Sequence, residues 1–304
     1  LTRVLSEPAW SVKGGSISLE RPVVIGILNL TPDSFSDGGL VKDAAGALEI
    51  ARAMSEAGAE LIDVGGESTR PGAKPVPAEE EWSRIGRTVA ALSEAEIPVS
   101  VDTTKLSVAA RALDAGAVAI NDVSGLRFDP GIASLCAGTG AGLIIMHMRG
   151  DPRTMQDDLR YQDLVPEISG WLEQQAEGAL SNGVHPSQIV VDPGIGFGKS
   201  VRGNLEILAR SGDFSGPGYP VLIGPSRKSF IGALLDVPAD QRVEGTVAAC
   251  VTALLAGARL FRVHDVLPVR RALDLAWEVL QVGGTSGGEG WCPAPDTGGR
   301  AVSN

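Results

Sequence analysis

The stretch AAGALEIARAMSEAGAELIDVGGESTR, Ala44–Arg70, contains one complete repeat of the fold. Leu48, Ala51 and Met54 recur at helical spacing, which predicts a helix over Ala44–Ala57. Gly58 stands where that helix must stop, because glycine alone adopts the left-handed conformation past a last turn at no steric cost. Glu60–Val64 then reads as a short buried strand that meets Asp63, and Glu67-Ser68-Thr69-Arg70 follows as a polar loop. The Ala-Gly-Ala ending recurs at Ala57–Ala59, Ala115–Ala117 and Ala256–Ala258, each time just before a strand.

Outward from this unit the alternation continues along the chain. Strands are predicted at Val23–Leu28, Glu60–Val64, Pro98–Val101, Ala117–Ile120, Gly142–Met146, Gln188–Val191, Pro220–Ile223 and Arg259–Val263. Helices are predicted between them, among others at Ala78–Ala95, Lys105–Ala115, Leu164–Asn182 and Gly245–Ala256. Repeated strand–helix alternation argues for parallel strands, and an α/β fold closed as a (β/α)8 TIM barrel is the simplest arrangement. A doubly wound open sheet is the alternative, but no G-x-G-x-x-G follows the first strand. Trp10–Val12 and Ile17–Leu19 flank Gly14-Gly15, so a short N-terminal hairpin within residues 1–20 is expected to plug the bottom of the barrel. One barrel domain is predicted over residues 1–282, with a Gly- and Pro-rich disordered tail over 283–304.

Composition bounds the partners. The chain has 304 residues, and 26 basic against 37 acidic side chains leave a formal charge of −11. Such a protein has no general attraction for nucleic acid or for an anionic membrane. Cys136, Cys250 and Cys292 lack metal-ligand spacing and read as reduced thiols. No run of about 18 apolar residues appears, and the N-terminus has no basic segment leading into an apolar one. A cytoplasmic enzyme acting on small molecules is the expectation.

Polar residues gather where the predicted strands end. Asn29, Asp63, Asp102, Asn121-Asp122, His147 and Asp192 close or follow successive strands; Ser226-Arg227-Lys228, Arg262 and His264-Asp265 occupy the last two. The C-terminal ends of barrel strands meet at one face, where active sites are built. A lone Asp or Asn at a strand end is ordinarily a helix cap or turn residue, and Asp43 and Asp129 read that way. Capping does not call for Lys, Arg and His at the same ends. The carboxylates together with a cationic group of Arg70, Lys228, Arg262 and His264 suit an anionic substrate beside a polar heterocycle. Glycoside hydrolysis by paired carboxylates would leave those cations without a purpose.

Eight stretches then become specific: GILNLTPDSFSDGG (Gly26–Gly39), IDVGGESTRPGA (Ile62–Ala73), SVDTTK (Ser100–Lys105), INDVSG (Ile120–Gly125), MHMRGDPRTMQ (Met146–Gln156), DPGIGFGK (Asp192–Lys199), GPSRKSFIG (Gly224–Gly232) and RVHDV (Arg262–Val266). In content and order they closely resemble the dihydropteroate synthase family of pterin-binding enzymes. The resemblance implies condensation of a dihydropterin pyrophosphate with para-aminobenzoate, releasing pyrophosphate, by a homodimer. It assigns the pterin pocket to Asp102, Asn121, Met146, Asp192, Phe197, Gly224, Lys228 and Arg262. It assigns the para-aminobenzoate pocket to Phe35, Ser68, Thr69, Arg70, Pro71 and Ser229, on the loops Thr31–Gly39 and Gly65–Ala73 and after Lys228. Pyrophosphate falls to Asn29, Arg70, Arg262 and His264, with Asn29 the ligand of a Mg2+ cofactor. Asp102, Lys228, Arg262 and His264 are the implied catalytic groups.

Two positions depart from the family pattern. Pro225 is expected to stiffen its turn, and Arg149 to add charge near the phosphates. A pterin-binding methyltransferase shares the features around Asp102, Asn121 and Asp192 but gives no reason for Ser68–Pro71 or Ser226–Lys228. A non-catalytic paralogue would have lost charged groups that are all present.

Overall fold

The structure is a computed structural model that describes residues 8–31, 43–216 and 218–285. A hairpin of β1 (Ala9–Val12) and β2 (Gly15–Ser18) leads into eight parallel strands: β3 (Val23–Asn29), β4 (Leu61–Gly65), β5 (Val99–Asp102), β6 (Ala119–Asp122), β7 (Gly142–Met146), β8 (Ile189–Asp192), β9 (Leu222–Ile223) and β10 (Leu260–Val263). In the sheet they run β8-β7-β6-β5-β4-β3-β10-β9. A parallel bridge between Val191 and Val221 joins its two ends, and Val191 N donates to Pro220 O at 3.0 Å. The sheet is therefore a closed barrel.

Nine helices are described around it: α1 (Ala44–Glu56), α2 (Ala78–Glu94), α3 (Leu106–Asp114), α4 (Gly131–Thr139), α5 (Leu164–Ser181), α6 (Val201–Ala209), α7 (Ser229–Leu235), α8 (Val243–Leu255) and α9 (Val266–Thr285). The three Ala-Gly-Ala segments end α1, α3 and α8. Their glycines have φ of 99°, 104° and 108°, and the next residue donates back five positions: Ala59 to Met54 O, Ala117 to Ala112 O, Ala258 to Ala253 O. That bond satisfies a carbonyl that the helix end would otherwise orphan.

The predicted strands are right in number and place, but five of them extend further. β3, β5, β6 and β8 include Asn29, Asp102, Asp122 and Asp192 as their last residues, and β4 includes Gly65. Ladder hydrogen bonds belong to the backbone, so a polar side chain does not end a strand whose neighbours still pair.

Side chains alternate along each strand. Ile62, Val64, Ile120, Ile145, Val191, Ile223 and Phe261 face outward and pack against the helices. Ile25, Leu61, Ala119, Ile144, Val190, Leu222 and Leu260 face inward at the bottom. There they meet the hairpin, which plugs the barrel as expected. Trp10 is fully buried in this lower cluster and its Nε1 donates to Gln188 O at 2.7 Å. The barrel helix α9 runs to Thr285, past the predicted domain end at 282 and into the predicted tail, the rest of which lies outside the described residues.

Candidate active site

Stepping two residues up each strand from the lower cluster leads from an apolar plug to a polar chamber. Leu61 is followed by Asp63, Ala119 by Asn121, Ile144 by Met146, Val190 by Asp192, Leu222 by Gly224 and Leu260 by Arg262. A two-residue step keeps a side chain on the same face, so these residues all point into the barrel. Most of the predicted pterin pocket is thereby gathered at the C-terminal end of the strands.

Register brings a second row together. Asn29 pairs with Gly65, Gly65 with Asp102, and Asp102 with Asn121. Gly65 has no side chain to separate its neighbours: a Cβ there would stand 3.2 Å from Asn29 Oδ1 and 3.7 Å from Asp102 Cβ. Asn29 and Asp102 therefore face each other across the glycine.

Asp63 organises the floor. It is fully buried and accepts from Arg262 Nε at 2.6 Å, Asn121 Nδ2 at 3.0 Å and Ser100 Oγ at 2.6 Å. Arg262 Nη2 reaches Asp102 Oδ2 at 3.0 Å. The guanidinium is thus held between two carboxylates, which outweigh the effect of burial and raise its pKa. Asp102 behaves differently. Burial raises its carboxyl, Arg262 opposes that, and Asp63, Glu81 and Asp122 add to it, leaving a pKa of about 7. Asp63 was not among the predicted site residues, although it holds two of them in place.

Across the chamber, Asp192 accepts from Gly194 N at 2.7 Å. Burial raises its pKa against the pull of that N–H, Lys228, Lys199 and Arg262. Lys228 caps the start of α7, donates to Ile195 O at 2.6 Å and lies 4.0 Å from the centre of the Phe197 ring. Burial lowers its pKa to about 7, with Asp192 resisting and Arg262 assisting. Met146 packs with Val123, Met148 and Met155, and Phe197 lies against that group. These residues give a flat, apolar wall with polar groups at its edges.

The expected phosphate end holds two corrections. His264 was counted among the cations, but it is neutral: burial lowers its pKa to about 3, helped by Arg227 and Arg262. Its Nδ1 lies 3.1 Å from Ser226 Oγ, which also accepts from His264 N at 3.1 Å. It can offer a hydrogen bond and no charge. Arg227 is spent on Asp265, with contacts of 3.0 and 2.6 Å. Arg149 likewise does not serve the phosphates; its guanidinium sits 4.7 Å over the Tyr161 ring, 3.6 Å from Asp158. The turn after β9 is closed by Lys228 N donating to Pro225 O at 3.2 Å.

Of the predicted para-aminobenzoate residues, Ser229 is the first residue of α7 and exposed. Ser68, Thr69, Arg70 and Pro71 lie on the loop after β4, between two cavities of about 400 Å3 and 550 Å3. The first cavity reaches Asp102, Val123 and Met148; the second is lined by Thr31, Ser68, Arg70 and Pro71. Phe35 lies outside the described residues.

Some strand-end residues do structural work. Asp122 accepts from Ser124 N and Leu126 N, both at 2.8 Å, and shapes a turn. Asp43 caps α1 through Gly46 N, and Asp129 caps α3 through Leu106 N. His147 is buried against Trp171, and burial followed by Lys199 lowers its pKa to about 2. Lys199 Nζ contacts His147 Nδ1 at 2.9 Å and His147 O at 3.0 Å, beneath the loop that carries Phe197. Sequence reading gave Lys199 no role.

Comparison with known proteins agrees with this geometry. The model of the family described as "Pterin binding enzyme" matches residues 25–264. The dihydropteroate synthase of Synechocystis sp. is 47% identical over 263 residues, covering 85% of this chain and 91% of that protein. The structure of Xanthomonas albilineans dihydropteroate synthase with 4-aminobenzoic acid superposes with a TM-score of 0.84 at 41% identity, covering 91% of this chain and 99% of that one. That of the Burkholderia cenocepacia dihydropteroate synthase complexed with 7,8-dihydropteroate gives 0.82 at 40% identity, covering 91% and 98%. The chain belongs to the pterin-binding enzymes, in their dihydropteroate synthase family.

Proposed function

We propose that the chain condenses 6-hydroxymethyl-7,8-dihydropterin pyrophosphate with para-aminobenzoate, giving 7,8-dihydropteroate and pyrophosphate in folate biosynthesis. The observation that carries this reading is the chamber itself: Asp192, Asn121 and Lys228 ring an apolar wall while Arg262 stands between Asp63 and Asp102. Relatives solved with 4-aminobenzoic acid and with 7,8-dihydropteroate support the two substrate classes.

Asp192 accepts hydrogen bonds from the amino-pyrimidine edge of the pterin, and Asn121 completes that edge. Met146, Phe197 and Gly224 flank the ring, and Lys228 donates to it. The pterin methylene–oxygen bond breaks first, and its electron pair leaves with pyrophosphate. The methylene cation is stabilised by the electron-rich dihydropterin and the nearby Asp102 carboxylate. Arg262, Arg70 and His264 receive the departing oxygens, Arg262 and Arg70 by charge and His264 as a neutral donor. The aniline nitrogen then forms the new C–N bond and gives up a proton that bond formation has made acidic. Ser68, Thr69, Pro71 and Phe35 enclose the aminobenzoate, and Ser229 with its backbone N–H meets the carboxylate.

Mg2+ fits this site in one way. Among the described residues, no group of three or more His, Cys, Asp or Glu side chains could form a metal cage. Asn29 offers a single amide oxygen, and Mg2+ is commonly held by one or two protein oxygens, substrate phosphates and water. Bound there, it would neutralise pyrophosphate charge.

A homodimer in the cytoplasm completes the reading. Leu267, Leu275, Val279 and Val282 expose an apolar stripe along α9, with Leu234, Leu235 and Leu255 exposed on α7 and α8. Cys136 and Cys250 are buried free thiols, as in a reducing compartment. No helix among the described residues is long and apolar enough to cross a membrane.

Formation of 7,8-dihydropteroate and pyrophosphate, measured with both substrates and with each omitted, is the test; no dihydropteroate with both present would sink the proposal. Asp192→Asn should weaken pterin binding by about 1.5–3 kcal/mol, the worth of a hydrogen bond to a charged group. Unchanged pterin affinity by calorimetry would remove Asp192 from the scheme.

A further inference from the structure

Three elements meet at one nitrogen beside the active site. Lys105 Nζ contacts Glu67 on the loop after β4, and also Glu81 Oε2 at 2.5 Å on α2. Glu81 is fully buried, and its other oxygen has no hydrogen-bond partner. The bridge is therefore not a surface ion pair of small consequence. Removing the lysine would leave a buried carboxylate without its cation, the costly way to break such a pair.

The loop needs the tether. Residues 67–75 run between the two cavities, so core packing does not fix them. Hydrogen bonds do. Arg84 Nη1 holds Gly66 O at 2.7 Å, and Gly72 N donates to Pro152 O at 2.9 Å. Between these points lie Ser68, Thr69, Arg70 and Pro71, which Glu67 directly precedes. Lys105 itself follows Asp102 by three residues; Lys105 N donates to Thr103 Oγ1 at 3.3 Å, and Thr103 N to Asn121 O at 3.1 Å. One short turn thus connects the carboxylate beside Arg262 to the base of the loop.

We propose that Lys105 is a positioning residue for the second substrate, fixing the Ser68–Pro71 loop through Glu67 in register with Asp102. The aminobenzoate part rests on the functional reading above; the tether itself does not. Lys105→Met should raise KM for para-aminobenzoate at least tenfold, leave KM for the pterin pyrophosphate within twofold, and speed amide hydrogen exchange in residues 66–73. Lys105→Arg should restore the amine KM to within threefold. Equal rises in both KM values, or a lowered melting temperature with the amine KM unmoved, would overturn the proposal. Should Lys105→Met fail to fold, Glu67→Gln leaves the Lys105–Glu81 contact in place and should show the same split at about threefold; an unaltered amine KM there also refutes it. If the wild type itself forms no dihydropteroate, the functional reading fails, and exchange in residues 66–73 alone decides the tether.

Discussion

Asp63 and Asp102 share one guanidinium, and this makes an unusual pH effect calculable in sign. Arg262 donates Nε to Asp63 and Nη2 to Asp102. Asp63 raises the pKa of Asp102, and Arg262 lowers it. Replacing Asp63 with Asn removes the competing charge while keeping an oxygen for Arg262 and Asn121 and an NH2 that can donate to Ser100 Oγ. The loss is then mainly one of charge, about 1–3 kcal/mol, or roughly 5- to 150-fold in kcat/KM at 1.36 kcal/mol per decade. The Asp102 pKa should fall below its present value of about 7, because the repulsive neighbour is gone and Arg262 is left to it. With ionised Asp102 required, the acid limb of kcat/KM moves to lower pH in Asp63→Asn even as the maximum drops. Lys228, also near 7, is shifted by burial, Asp192, Arg262 and Asp102 and not by Asp63, so the alkaline limb should not move down, and a more fully ionised Asp102 would move it slightly up. Pyrophosphate release between pH 5 and 9 reads both limbs. An acid limb that stays put, or moves to higher pH, would refute the shared-guanidinium reasoning; general structural damage predicts no such directional shift. Asp63→Ala is the harsher companion. It orphans three donors and breaks a buried pair, at about 3–5 kcal/mol, and should show in thermal unfolding.

Three further outcomes follow from the geometry. Asp102→Asn should depress kcat more than pterin affinity and abolish the acid limb near pH 7; loss of affinity with kcat intact would reverse its assigned role. Gly65→Ala places a Cβ 3.2 Å from Asn29 Oδ1, so overpacking of about 1–3 kcal/mol should lower the melting temperature by several degrees and raise KM for the pterin pyrophosphate. Trp10→Ala empties the lower plug and orphans Gln188 O, which should cost about 3–5 kcal/mol in stability and leave the KM values of the folded enzyme unchanged.

The repeat at Ala44–Arg70 made the barrel legible because helix period, glycine stop and strand are local signals. The motif residues of the chamber were legible for a different reason: they are polar where apolar residues belong. Asp63 had that signal too, flanked by Ile62 and Val64. It was noted with the other strand-end polar residues but given no role, because the hydrogen bonds that define its work, to Arg262, Asn121 and Ser100, join residues far apart in sequence. The charge of His264 was not legible, since neutrality follows from burial beside Arg227 and Arg262, which are near only in the fold. The Lys105–Glu81 bridge was equally hidden, because Glu81 reads as one of three acids at the exposed start of a helix. Only the packing of α2 against β4 and β5 puts it inside.

The inward faces of the strands carry two opposed demands within a few ångströms. At the bottom they bury Ile25, Leu61, Ile144 and Leu260 against Trp10, and each buried apolar side chain contributes about 1.5–3 kcal/mol. One pleat higher, the barrel strands bury Asp63, Asp102 and Asp192 around the half-buried Arg262, and their desolvation opposes folding. A slip of one residue in any strand would exchange its inner and outer sets, putting an outward-facing Ile or Val in the chamber and a carboxylate among the helices. Register is therefore fixed doubly, by the plug below and by the helices outside. That is why the chamber can hold charges whose pKa values sit near neutrality: the rigidity that keeps them unsatisfied by solvent is supplied by residues that never touch a substrate.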